Sequence, residues 1–275
     1  MNFKISSYII HNNSIERKVL RKEIKNLIKS FNINFKLISE QKIHKKNHPN
    51  LILIILNLKI ILLKELFNLY HKRFLIFNDL ILYLRNIFYL GKRILKILFS
   101  SKSKNLESYN HNIIEKIVRD KHINAWKLFL KTDSDYMIIF EDDAICLKNS
   151  KKRLSAIFEN LYIENKESIF LDLAGGYELS KILPLKNNLA NPVYDVYLQN
   201  LYTNTACCYL ISRNLVSEFI EIIKYDQFSK NFPIDYLMNY LGFKSNKKIF
   251  SGHFFSPVFA HGSFKYNVES WQTLL

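Results

Sequence analysis

The chain has 275 residues, with 40 Lys and Arg against 24 Asp and Glu, a formal net charge of +16, 48% hydrophobic residues, and only six glycines and five prolines. That apolar content can offset the entropy of ordering the chain, which excludes a disordered segment, and the scarcity of Gly and Pro excludes collagen-like and linker-like chains. The three cysteines, Cys146 and the adjacent Cys207 and Cys208, form no CxxC pair and no disulfide framework, so a reducing compartment, the cytoplasm, is expected. The opening MNFKISSYIIHNN has no long apolar core and no small-residue cleavage site, and reads as mature structure. The charge suits nucleic acid, an anionic membrane surface or a phosphate-bearing substrate. A compositional bias toward Lys, Ile, Asn, Leu and Phe would produce the same excess without a functional cause.

In chain order, residues 3–10 read as a strand, and Ile15, Val19, Leu20, Ile24, Leu27, Ile28 and Phe31 recur at helical spacing. A second strand is expected at Phe35 to Ile38, giving the strand, helix, strand unit of a parallel sheet and hence an α/β fold. From Pro49 to Phe99 long apolar runs appear, but Lys59, Lys64 and Glu65 interrupt the first and Asp79, Arg85, Lys92, Arg93 and Lys96 the second. Buried or amphipathic helices are expected there, with basic residues outnumbering acids. That balance suits an anionic lipid surface as well as an ordinary solvated helical subdomain. Residues 100–110, SSKSKNLESYN, read as a polar connector back to the main domain. Ile114, Ile117, Val118, His122, Ala125, Trp126 and Phe129 then form one apolar helical stripe that should pack on a sheet. Further strands are expected at Tyr136 to Phe140, Ile169 to Leu173 and Ala206 to Ile211.

The most informative stretch is YMIIFEDDA, residues 136–144. A continuous β-favouring run implies a strand buried on both faces, and Glu141, Asp142 and Asp143 stand at its carboxyl end, where open α/β sheets place ligands. Adjacent acids repel one another unless donors or a cation neutralise them, so a hard divalent metal is one reading. An acidic loop capping the next helix is the other.

With these residues in view, the sequence resembles glycosyltransferase family 25, the bacterial lipooligosaccharide galactosyltransferase-like family. Four blocks carry the resemblance in order: YIIHNNSIERK at 8–18; His122 through Trp126 to IIFEDDA; NTACCYLISRNLVSEFI at 204–220; and FPIDYLMNYL at 232–241, followed by SPVFAH at 256–261. The region from about 45 to 110 has no counterpart. The resemblance implies a single GT-A-like catalytic domain over 1–275, with a mostly parallel central sheet and a basic helical insertion at about 45–110. It also implies a nucleotide-sugar donor and a divalent cation, Mn²⁺ or Mg²⁺, held by Asp143 and Asp142, with Glu141 helping or orienting the loop; His261, after Pro257, is a further candidate ligand through its imidazole, although the family often has Gln in a comparable place.

An inverting transfer, which the resemblance suggests, needs a carboxylate to take the acceptor proton. Asp235 is the first candidate and Asp172 the second; Asp235 reads equally as an acid favoured at a helix start. Arg17, His122, Asn204 and Thr205 are candidates for donor contact, with Tyr202 available to stack on a ring. Arg17 also reads as a solvated cation and His122 as a packed core residue. Lys121 and Asn204 depart from the family's usual Ser and Gly.

The expected activity is transfer of a hexose, galactose first, to a lipopolysaccharide, lipooligosaccharide or other surface-glycan acceptor. The enzyme would be cytoplasmic, peripheral on the inner face of the membrane through residues 51–99. The competing classes are a basic nucleic-acid-binding protein and a metal-dependent phosphoesterase using the same acids. No helix-turn-helix, RNP, zinc-finger or Gly-rich-loop pattern supports the first, and the acids are not dispersed as a two-metal site requires.

Overall fold

The computed structural model of the chain describes residues 3–11, 17–39, 49–75, 80–164, 168–175, 196–198, 201–203, 205–254 and 257–262. β1 (Ile5–Ile10), α1 (Arg17–Lys29) and β2 (Phe35–Ile38) form the expected unit, with β1 and β2 parallel. Three helices follow, α2 (Asn50–Leu75), α3 (Leu80–Leu98) and α4 (Lys102–Phe129). The remainder alternates: β3 (Tyr136–Glu141), β4 (Ala144–Cys146), α5 (Ser150–Glu164), β5 (Ile169–Asp172), β6 (Val196–Leu198), β7 (Cys208–Ser212), α6 (Arg213–Tyr225), α7 (Ile234–Lys244), β8 (Phe250–His253) and β9 (Phe259–His261).

The central sheet has seven strands in the order β2-β1-β3-β7-β5-β8-β6. β1, β2, β3, β5 and β8 run one way and β7 and β6 the other, so the sheet is mostly parallel and the fold is mixed α/β. β4 and β9 pair antiparallel in a small separate ribbon. β3 lies between β1 and β7 with all six of its residues buried, as its unbroken apolar sequence requires. Its side chains alternate between two cores. Met137 and Ile139 join Tyr8, Tyr209 and Trp126 on one face, and Ile138 and Phe140 join Ile9, Ile24 and Leu154 on the other. Each such Ile or Phe contributes roughly 1.5–3 kcal/mol by leaving water, which makes β3 the most strongly fixed strand at the site described below.

Residues 100–110 are not a connector. α4 begins at Lys102, with the Ser101 side chain accepting a bond from the Lys104 N–H. The reason is a seam of asparagines at seven-residue spacing. Asn105 donates to Asn50 at 3.1 Å, Asn57 donates to the Asn105 carbonyl at 2.9 Å, and Asn112 donates to Asn57 at 3.1 Å. A helix contact made of amides satisfies its polar groups internally and leaves no apolar stripe to read. α4 is therefore shared: its first turns face α2, and its last turns bury Val118, His122, Ala125, Trp126 and Phe129 against the sheet. Among the described residues no helix is long and apolar enough to cross a membrane.

Candidate active site

The three acids that close β3 point to three different places. Strand alternation sends Glu141 to the α4 face, where its Oε1 meets His122 Nε2 at 3.1 Å. Asp142 turns to α1: Arg17 donates to its Oδ1 at 2.5 Å and Arg21 to its Oδ2 at 3.3 Å. Both Arg17 and Asp142 are buried, so this pair is desolvated and directional rather than a loose surface contact. Asp143 leaves the strand toward β9, with its Oδ2 3.6 Å from His261 Nδ1 and its Oδ1 3.6 Å from Cys207 Sγ.

His122 is fully buried and works through its neighbours. The Trp126 indole N–H can only donate, and it donates to the Tyr209 hydroxyl at 3.0 Å. The same hydroxyl lies 2.9 Å from His122 Nδ1, and His122 Nε2 faces Glu141. Burial, reinforced by the charge of Lys121, pushes His122 down to about 3, so the ring is neutral. Burial first, then repulsion from Asp143, pushes Glu141 up to about 8. Lys121 itself reaches the His11 carbonyl at 2.8 Å.

Asp172, at the end of β5, is buried and accepts three bonds: from Ala174 N at 3.2 Å, Gly175 N at 2.9 Å and Thr203 Oγ1 at 2.9 Å. Gly175 has a positive φ of 47° and lies against Phe254 and Pro257, so the close approach there is to protein backbone. Thr203 carries the connection onward, because its N–H and carbonyl are both held by the Asn239 side chain of α7 at 2.7 Å. Thr205 accepts from Cys207 N at 3.1 Å and shapes the entry to β7. Asn204 lies outside the described residues.

Asp235 is half-buried in the first turn of α7, after Pro233. Burial and then the Glu115 carboxylate of α4 raise it to about 6, with Lys64 of α2 opposing. Lys64 pairs with Glu115 at 2.7 Å and lies over the Tyr236 ring. Burial, with Tyr236 and Asp235 nearby, pushes Tyr202 up to about 12. Of the residues that tune Asp235, Lys64 comes from the region without a counterpart in the resemblance and Glu115 from α4.

Among the described residues, Asp143, Cys207 and His261 bring ligand atoms within 4.8 Å of one another. Cys207 carries no sequence signal, because it sits beside Cys208 at the entry to an apolar strand with no ligand spacing. A cleft of about 570 Å³ lies instead at the amino ends of β1 and β3, lined by Lys4, Ser6, Asn34, Asp133 and Phe158 among others. The chemistry-bearing side chains gather at the other end of the sheet, as α/β topology favours.

No curated protein matches the chain. Residues 121–238, from the end of α4 through the β3 acids to the first turns of α7, match the family described as Glycosyltransferase family 25 (LPS biosynthesis protein). Over those residues, somewhat less than half of its length, the chain is similar to glycosyltransferase family 25, which supports a glycosyltransferase.

Proposed function

We propose that the protein transfers a hexose, galactose in the first instance, from a nucleotide sugar to a lipopolysaccharide, lipooligosaccharide or related surface-glycan acceptor, with inversion at the anomeric carbon in a GT-A-like domain. The observation that carries this reading is the span of the family match, which includes both the β3 carboxyl end and Asp235. In this reading Asp235 removes the proton of the acceptor hydroxyl, the freed oxygen bonds to the anomeric carbon, and the bond to the nucleoside diphosphate breaks with its electrons going to the phosphate oxygen. A carboxylate raised to about 6 is mostly ionised at neutral pH yet basic enough to accept a proton.

A divalent cation would neutralise charge on the departing diphosphate. Asp143 and His261 would hold one, joined by Cys207, a reading supported by their proximity and by the engagement of Asp142 with Arg17 and Arg21. Asp142 and Arg17 accordingly act in this reading as the buried pair that fixes the turn carrying Asp143. His122 acts by orienting Glu141, and Asp172 by tying β5 to α7 through Thr203.

The α2 and α3 helices are the membrane-facing part of the proposal. Leu51, Ile55, Phe88, Leu95 and Phe99 are each more than half exposed, and Lys59, Lys92, Arg93 and Lys96 accompany them. Apolar side chains with basic neighbours suit the interface of an anionic bilayer, where a lipid-linked acceptor is presented.

Purified protein tested with a panel of nucleotide sugars, UDP-galactose first, should hydrolyse or transfer from one of them. UDP with a divalent cation should raise the melting temperature, and duplex DNA should not. Stabilisation by DNA with no response to any nucleotide would overturn the proposal.

A further inference from the structure

We propose that Asp143, Cys207 and His261 form a mixed oxygen, sulfur and nitrogen site for a zinc-class divalent cation, with Cys207 as the ligand that sets metal preference. The inference deepens the cation-assisted reading above, replacing a hard-cation site of three carboxylates with a softer one.

The three residues come from separate elements, and main-chain bonds fix their positions. Glu141 N donates to the Cys207 carbonyl at 2.7 Å, which ties the end of β3 to the entry of β7. Gly262 N donates to the Asp143 carbonyl at 2.9 Å, and Ala144 pairs with His261 across the β4–β9 ribbon. The side chains thus converge on a scaffold that does not depend on their own bonding.

The separations discriminate further. Asp143 stands 3.6 Å from His261 Nδ1 and 3.6 Å from Cys207 Sγ. The His261 separation is too long for an N–H···O bond, since such bonds cluster at about 2.7–3.2 Å, while the Cys207 thiol donates to Asp143 Oδ1, a proton that a cation would replace. Ligands lying about 2.0–2.3 Å from a tetrahedral cation stand roughly 3.3–3.8 Å apart; here each Asp143 oxygen meets one partner at 3.6 Å and the three ligand atoms lie within 4.8 Å of one another, so small side-chain shifts would close them on a cation. Three protein ligands with a fourth position open is also the arrangement of catalytic rather than structural zinc sites. His261 is the one partly exposed member, so the open position faces outward on its side.

The donor set decides which cation. Thiolate and imidazole favour Zn²⁺ and Co²⁺, whereas Mg²⁺ and Mn²⁺ favour oxygen ligands. The oxygen-only alternative is not assembled, because Asp142 is engaged by Arg17 at 2.5 Å and Glu141 lies on His122 at 3.1 Å.

The test uses Co²⁺ as an optical probe on the full chain without any nucleotide sugar, so its outcome is independent of whether the donor or the transfer reaction is correctly assigned. Wild type should develop a thiolate-to-cobalt charge-transfer band in the near ultraviolet, which one equivalent of Zn²⁺ removes and a tenfold excess of Mg²⁺ or Mn²⁺ does not. Cys207→Ser should lose the band and Cys208→Ser should keep it. His261→Gln, at a partly exposed position, should weaken Co²⁺ binding at least tenfold while the melting temperature without metal stays unchanged. Absence of the band, its persistence in Cys207→Ser, or displacement of Co²⁺ by Mn²⁺ as readily as by Zn²⁺ would overturn the proposal.

Discussion

The carboxyl end of β3 and the α2–α3 helices solve opposite problems. At the first, ionisable groups are buried and each is met by a partner: Glu141 by His122, Asp142 by Arg17, Asp143 by the Cys207 thiol. On the second, apolar groups stay in water, with Phe88 at 71% and Phe99 at 84% exposure. Burying charge is costly unless geometry satisfies it, so the first region is specified side chain by side chain. Exposing Phe or Leu costs little in the folded protein alone, so the second is free to be shaped by what it meets. The matched segment 121–238 includes the first region and none of the second.

The sharpest way to test this contrast is at the charged end. Asp143→Asn should drop transfer to background while the circular dichroism spectrum and melting temperature stay close to wild type; near-normal turnover would remove Asp143 from the site. Asp235→Asn should lower kcat by about 10²–10⁴ and abolish the acid limb that wild type shows below pH 6 or so. The sign for stability is opposite. A carboxyl whose folded pKa is raised to about 6 binds its proton more tightly when folded, so its contribution favours folding below the ordinary carboxylate value and is lost as pH rises through 6. Asp235→Asn should therefore melt higher than wild type at pH 7.5 and alike at pH 4. The matched pair Asp172→Asn should leave the acid limb in place if Asp235 is the base.

Tyr209→Phe probes the same region through its interior. It removes the hydroxyl that receives the Trp126 indole N–H and bonds His122 Nδ1, leaving two buried groups unmet. The expected loss is about 1–3 kcal/mol for each orphaned group at most, read as a lower urea midpoint with an unchanged m-value. A stability equal to wild type would mean that this chain of bonds holds nothing in place.

The contrast weakens where the two regions meet. Lys64 of α2 lowers Asp235 and pairs with Glu115, which raises it. Lys64→Met should move the acid limb to higher pH, and no movement would leave α2 without influence on the site. The smallest stability effect is expected on the exposed helices. Replacing Leu51, Ile55, Phe88 and Phe99 by Gln should change stability by no more than about 0.5 kcal/mol per site. The same variant should lose binding to vesicles containing anionic lipid. Vesicle binding that ignores anionic lipid, or that survives the substitutions, would separate these helices from any membrane.

Much of the fold is legible in local pattern. The β1–α1–β2 unit, the burial of β3 and the apolar stripe of α4 follow from spacing alone, because each depends on side chains near one another in sequence. The start of α4 was hidden because its contact with α2 is made of Asn50, Asn57, Asn105 and Asn112, and amide pairing carries no hydrophobic period. The short strands β4, β6, β8 and β9 are set by pairing with distant partners rather than by their own residues.

For the site, the sequence by itself determined that a run of acids ends a buried strand and that an acid opens the helix after Pro233. The number, type and order of those residues are local facts. Tertiary structure alone decided what each acid does, since their partners are remote: Arg17 lies 125 residues from Asp142 and Cys207 64 residues from Asp143. Carboxylates have the same composition whether they hold an arginine, a histidine or a cation. Only the sheet order, which brings β1, β3 and β7 side by side, and the β4–β9 ribbon beside them assign one to each.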